Sequence, residues 1–384
     1  MFPIKKITLL LTLLLFLTGC WDRNEISDVN FIMGIAIDAT DEDKYRVTFQ
    51  WALPSQFSTE SSQGSGNSNE NTVYTIEADS IALAMAKLTE VSTRVPIYSH
   101  MALIVLGESL AKEGAEDLFH VVDREFEVRR TVNVVLAKGK AEDILRSKTP
   151  FETVQASGVD KIISLTNRSS TFQEVKLNDL FIKESDPDSL SFMPIADTVS
   201  NTNLQQTDKG GKNSWVQVER VAFFDNYKLI RELSVQESRS WMYALGEVGE
   251  QTVTELETEK GKLIARVLSQ KTDEKITIKS NQPSVTYTIK EQVSILEEPE
   301  KLSTAEMETE IETHIKEQLS KTIQKMQEEQ LDIFFLRTKL RQNHPKEWQE
   351  IKKHWSETYA KMNFHINVDV TIQHHNALRK NVSH

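Results

Sequence analysis

One thiol is available to this chain, at Cys20, and its setting defines the chemistry it can do. Cys20 follows Leu17, Thr18 and Gly19 at the end of an apolar run over residues 7–17, and Lys5 and Lys6 precede that run. A basic start, an apolar stretch and small residues at a cleavage point make a secretory signal peptide, here residues 1–19. The apolar run has 11 residues, whereas a helix that crosses the hydrocarbon core takes about 20. A thiol placed directly after Thr18-Gly19 can be alkylated with a diacylglyceryl group before cleavage. Cys20 is therefore expected to be the first residue of a mature bacterial lipoprotein, carrying an S-diacylglycerol and an N-acyl chain, with Leu17, Thr18 and Gly19 as its lipobox. Two or more acyl chains, at about 0.8 kcal/mol per buried methylene, anchor a protein where one chain would not. Trp21 and Asp22 come next, and a large aromatic beside the lipid suits the head-group zone.

The remaining candidates for chemistry are weaker. Gly107-Glu108-Ser109-Leu110-Ala111 misses a nucleophile elbow because Ala111 replaces the second glycine, and a strand-to-helix turn accounts for it better. There is no glycine-rich loop followed by Lys-Ser or Lys-Thr, and Gly246 and Gly249 lack the dinucleotide fingerprint. Alternation along a strand would put His365 and His375, with His374 between the faces, where a metal could use them. No carboxylate at ligand spacing accompanies them, so they are expected to be solvated. Glu306, Glu308, Glu310 and Glu312 recur every second residue, which spreads them around a helix as a solvated surface. Trp348 and Trp355 are seven apart, two turns along one helix face, and are expected in a core. No catalytic residue, metal or cofactor follows from these residues, and no enzyme activity is expected.

The formal charge is −12, and loss of Lys5 and Lys6 makes the mature part more acidic. Such a surface repels phosphate backbones and anionic head groups, so nucleic acid is not an expected partner and the lipid has to hold the body at the membrane. With a single cysteine there is no disulfide framework, and stability must come from packed cores. The length remaining after the signal suffices for two or three domains.

The elements fall into two halves. In residues 20–199, strands are expected over 30–38 and 45–51 with a turn at 41–43, a mobile loop over 55–71, then strands and helices in alternation. A strand over 73–76 precedes a helix capped by Asp79 or Ser80, with Leu83, Met85, Leu88 and Val91 facing inward. Next come a strand over 101–106, a helix over 114–126, a strand over 131–137 and a helix over 141–146. Helices within 150–183 and a strand over 194–199 complete this half. The order favours a mixed sheet covered by helices. Residues 200–214 hold a single apolar residue and read as a linker. The C-terminal part, 215–376, is divisible into 215–297 and 300–376. It starts with two strands about Asp225-Asn226 and a helix over 235–245. Strand segments over 252–256, 263–268, 275–278 and 285–296 follow. A long charged helix over 303–330 then carries Met307, Ile311, Ile315, Leu319, Ile323 and Met326 on one stripe. A segment over 333–341, a helix begun by Pro345 and a strand over 364–372 end it. The fold class is α+β: a multi-domain body of mixed β-sheets covered by helices, its N-terminal half α/β-like and its C-terminal half α+β.

The stretch Gly19-Cys20-Trp21-Asp22-Arg23-Asn24-Glu25-Ile26, followed by Gly34-Ile35-Ala36-Ile37-Asp38, resembles the start of the Ger(x)C family, the lipoprotein C subunits of bacterial spore germinant receptors. Residues 221–229 resemble that family's opening of its second half. Asp332-Ile333-Phe334, His344-Pro345-Lys346-Glu347-Trp348 and Trp355 resemble its C-terminal block. The likeness covers nearly the whole mature chain in order. It departs at Phe335, where the family pattern has glycine, so a tight backbone contact is not expected there. The resemblance implies a body on the outer face of the inner spore membrane, acting with integral-membrane A- and B-type subunits in nutrient sensing, with any small-molecule nutrient met through the complex. A lipid-anchored solute-binding protein that captures a germinant directly is the alternative.

Overall fold

The computed structural model describes residues 28–373 apart from 43, 53–72, 126, 148–151, 167–170, 201–213 and 300–301. The apolar, β-branched segment Val29–Ala39 forms β1 at the heart of a large sheet. A bulge between Ile32 and Gly34 shifts the register, which lets Ile32, Ile35 and Ile37 share one face while Ala36 turns to the other. A side chain at Gly34 would lie 2.6 Å from Cβ of Ala156, so glycine here admits a helix against the strand. β2 (Tyr45–Ala52) and β3 (Val73–Ala78) add antiparallel on one side. The loop expected over 55–71 lies outside the described residues.

Ser80 caps α1 (Ile81–Val91), accepting from the Leu83 N–H. Its buried side chains are Ile81, Ala84, Met85 and Leu88, an i, i+3, i+4, i+7 stripe. Met85 and Leu88 lie as expected, but Leu83 and Val91 are exposed, because the small Ala84 rather than Leu83 sits against the sheet. β4 (Val95–Ile97) and β5 (Leu103–Leu106) both pair parallel with β1. The helix expected over 114–126 is α3 (Glu116–Arg124); a further helix, α2 (Glu108–Glu113), precedes it and ends at Gly114, whose φ is +127°. β6 (Asn133–Ala137), α4 (Ala141–Arg146), α5 (Gln155–Thr166), α6 (Leu177–Glu184) and β7 (Ser191–Ser200) continue the alternation.

The stretch expected as a linker does not divide the sheet. β8 (Ser214–Asp225) pairs antiparallel with β7 from Ser191↔Phe224 to Ser200↔Ser214, and β9 (Lys228–Glu232) forms the edge. The sheet order is β3-β2-β1-β5-β6-β7-β8-β9, with β4 on β1. The β8–β9 turn sits at Asn226-Tyr227, both at positive φ, one residue beyond the expected pair. The change of sheet therefore falls after Glu232, at α7 (Val235–Leu245), which Ser234 and Glu237 close with a capping box.

The second sheet, β10-β11-β12-β13, is built from β10 (Val253–Thr258), β11 (Gly261–Lys279), β12 (Gln282–Glu297) and β13 (Asn363–Ile372). Segments 263–268 and 275–278 are one strand, because β11 pairs with β12 along its length about a Ser280-Asn281 turn, both residues at positive φ. α8 (Thr304–Glu328), capped by Ser303 and Glu306, buries the expected stripe of Met307, Ile311, Ile315, Leu319, Ile323 and Met326. Each such side chain contributes about 1.5–3 kcal/mol of burial before entropy is counted. α9 (Leu336–Asn343), α10 (Pro345–Ile351), a short turn over Lys352–His354 and α11 (Trp355–Ala360) lead into β13. One apolar cluster runs from Ala36 and Leu103 through Trp241 to Ile372, so both halves share a core; a second cluster fills the other face of the large sheet. No helix of the described residues is long and apolar enough to cross a membrane.

Candidate functional site

Leu17, Thr18, Gly19, Cys20, Trp21 and Asp22 lie outside the described residues, which begin at Asp28 immediately ahead of β1. Ser109 stands on the first turn of α2, exposed, and among the described residues no base is hydrogen-bonded to it. Its neighbour Glu108 accepts from Lys112 Nζ (2.5 Å), Lys138 Nζ (3.1 Å) and the Gly139 N–H (3.0 Å). Partial burial pushes the Glu108 carboxyl up, but these donors outweigh it and hold it at about 2. A permanently ionised, paired glutamate leaves Ser109 without an activating partner. Gly107 lies where a side chain would be 2.1 Å from Asp38 Oδ1. Asp38 uses that space to accept from the Ala141 (2.7 Å) and Glu142 (3.0 Å) N–H groups, capping α4 from the neighbouring strand. The strand-to-helix turn is thus a packing device.

His365 is exposed on β13, and His374 and His375 lie outside the described residues. Among the described residues no group of three or more His, Cys, Asp and Glu could hold a metal. The glutamates of α8 are not simply solvated. Glu308 Oε1 accepts from the Ile372 N–H (2.9 Å) and Glu312 Oε1 from the Val370 N–H (3.0 Å). One helical turn apart, they satisfy alternate donors on the outer edge of β13. Glu306 closes the helix cap and pairs with Lys260, which leaves Glu310 exposed to water. Trp348 and Trp355 are buried edge-to-face, ring centroids 5.4 Å apart, as expected of a core pair, but on two helices, α10 and α11, because the Lys352–His354 turn breaks the single helix expected.

The structure brings together a different set of residues, at the joint of the two halves. Trp241 of α7 packs edge-to-face on Phe192 and Phe223 of the large sheet, at 4.9 and 5.4 Å, and donates its indole N–H to the Ile333 carbonyl (2.8 Å). Phe335 closes the cluster from the C-terminal side. Its φ of +58° is the left-handed conformation that glycine adopts freely, which costs a side-chain-bearing residue about 1–2 kcal/mol. The ring offsets this by packing on Phe192, Phe223 and Trp241 and by lying 4.0 Å beneath Lys183 Nζ. Burial pushes the Lys183 ammonium below its ordinary value. Asp332, buried, caps α9 by accepting from the Leu336 (3.1 Å) and Arg337 (2.7 Å) N–H groups, and burial pushes its carboxyl up. Arg231 bridges Glu237 (3.0 Å) and Glu329 (2.8 Å) across the same joint.

A second group was missed in the sequence although its signal was there. Val285, Tyr287, Ile289 and Val293 alternate along β12 into the core, and Glu291 occupies the next place in that apolar series. It is 2 % exposed. Among the described residues neither carboxylate oxygen has a hydrogen-bond partner of good geometry. Burial raises Glu291 to about 7, while the nearby Tyr243 hydroxyl and Arg239 guanidinium oppose the rise. A lone carboxyl inside a period-two apolar pattern was the legible sign.

Two family models match in order: spore germination protein N-terminal domain over residues 22–198, and spore germination B3/GerAC like, C-terminal, over 219–376. The chain belongs to the Ger(x)C family of spore germination proteins. Spore germination protein B3 of Bacillus subtilis (strain 168) is 26% identical over 96% of this chain and 97% of its own length. Spore germination protein KC of the same organism is 25% identical over 91% and 90%. The crystal structure of the GerBC protein aligns with a TM-score of 0.57 at 18% identity, covering 92% of this chain and 100% of that one, and so shares the fold. The α+β body with mixed sheets under helices is that of the Ger(x)C fold.

Proposed function

We propose that this Ger(x)C protein is the lipid-anchored, non-enzymatic C subunit of a spore nutrient-germinant receptor. It works with integral-membrane A- and B-type subunits on the outer face of the inner spore membrane. The observation that carries this reading is the succession of the two family matches from residue 22 to 376, starting directly after the Leu17-Thr18-Gly19-Cys20 lipobox. Cys20 would bear the diacylglyceryl and N-acyl chains, the only covalent addition proposed, with Trp21 resting at the head-group boundary. The non-enzymatic part of this reading rests on the family, whose relatives named above are spore germination proteins. The body's part is then to dock on the membrane subunits and keep the signalling complex together, and a rigid joint between its halves fits that task.

Replacing Cys20 with Ala is expected to release the body from spore membranes and to weaken nutrient-triggered germination, read by membrane fractionation and loss of optical density. Unchanged membrane attachment would contradict the anchoring. Cross-link mapping after co-purification with the membrane subunits tests the partnership separately. Direct capture of a nutrient by this chain has one structural feature in its favour, a cleft between the two halves.

A further inference from the structure

That cleft, about 590 Å³, opens where the turn after α6 meets the C-terminal helices. Asp188 lines it from the N-terminal side, and Arg337, Arg341, Trp348, the Lys352–His354 turn and Trp355 line it from the other. Arg341 is answered by Asp186 and by Asp188, whose Oδ2 lies 3.3 Å from Nε. The Asp188 carbonyl also accepts from Thr338 Oγ1 at 3.0 Å, so one turn both closes the joint and forms the cleft wall.

The other cations are less fully answered, although the buried Asp332 carboxylate lies near enough to Arg337 to interact with its charge. Arg337 is half-buried and Lys352 and Lys353 are exposed, and among the described residues none of the three has an ion pair. Glu357, exposed, lines the cleft too. In a chain of charge −12, Arg337, Arg341, Lys352 and Lys353 around one hollow outnumber its carboxylates, Asp188 and Glu357, and give it a local excess of positive charge. They repel one another and hold a guanidinium partly out of water, a cost that a bound anion would remove. The planar fork of Arg337 matches a carboxylate or phosphate, while the two lysines act as mobile point charges beside it. Trp348 and Trp355, locked edge-to-face, give a floor that loses little freedom when a ligand settles on it.

We infer that this cleft binds a small oxyanion, a carboxylate or a phosphate, held by Arg337, Lys352 and Lys353 against the tryptophan pair. Because Asp188 and Arg341 belong to opposite walls, an occupied cleft also stabilises the joint. The inference stands whether or not the chain is lipid-anchored or part of a receptor. The anion could be a dissolved solute or a lipid head group, and two arms of one experiment separate these sources. In the first, the full chain in zwitterionic detergent is titrated with inorganic phosphate at fixed ionic strength, read by calorimetry and tryptophan fluorescence. In the second, the micelles carry phosphatidylglycerol.

Saturable binding to one site is expected. It should weaken at least tenfold when Lys352→Gln and Lys353→Gln are combined, both at exposed positions where folding is not at stake, and likewise with Arg337→Gln. Lys316→Gln, exposed on α8 away from the cleft, should match the parent. Phosphate binding that responds to these variants assigns a dissolved anion; binding only with phosphatidylglycerol, lost in the same variants, assigns a head group. Absence of saturable binding in both arms, or an equal loss with Lys316→Gln, overturns the inference.

Discussion

At Glu291 the balance between burial and charge sets a pH dependence with a definite sign. Its carboxyl is raised from 4.5 to about 7 in the folded chain, so between those values the unfolded state has lost a proton that the folded state keeps. Stability from this group is fully present below about 4.5 and is lost as pH rises toward 7, on the order of 3 kcal/mol in total. Glu291→Gln keeps the shape and cannot ionise. Urea unfolding at pH 5 and pH 8 should therefore show the variant gaining on the parent at pH 8 and close to it at pH 5. Equal midpoint differences at both pH values would remove the buried-carboxyl account. Phe335 shows the opposite kind of compromise, in which an unfavourable backbone conformation is tolerated because the ring completes the cluster of Phe192, Phe223 and Trp241.

Among the elements, β13 is the one whose stability depends most on a helix. It pairs parallel with β12 on one side only, and its outer N–H groups at Val370 and Ile372 are met by Glu312 and Glu308 of α8. An unpaired strand edge is a template for association, so covering it guards the monomer. Replacing both glutamates with Ala is expected to cost about 1–3 kcal/mol, since two charge-assisted hydrogen bonds are lost. Hydrogen exchange should quicken at Val370 and Ile372 well before it does in β11. If exchange at those two amides stays as slow as in the parent, the glutamates are spectators.

For the molecule as a whole, the sheet and the core run through the place where the chain looks divisible. β7 and β8 flank residues 201–213 yet pair at ten positions, and the shared apolar cluster joins β8, α7 and the second sheet. Proteolytic cleavage within 201–213 is accordingly expected to leave the two fragments associated through size-exclusion chromatography. Fragments that separate without denaturant would mean that the halves are cored independently. Continuity of this kind gives the body one stiff joint, at α7, where Arg231 and Trp241 tie the large sheet to the C-terminal helices.

Much of this was legible in the amino-acid order, because local patterns report local physics. The stripe of α8 from Met307 to Met326, the Ser80 cap, and the bounds of α4 and α7 all follow from helical spacing and capping chemistry. The expected lipobox likewise rests on adjacent residue types alone. Which face of α1 turns inward, that Glu308 and Glu312 meet a strand some sixty residues away, and that the strands on either side of residues 201–213 pair with each other in one sheet were decided by tertiary structure. Those outcomes depend on contacts between segments far apart in the chain, whose energies no window of neighbouring residues contains. The same holds for Arg337, Lys352 and Lys353, which face one hollow only once Asp188 has been folded against them.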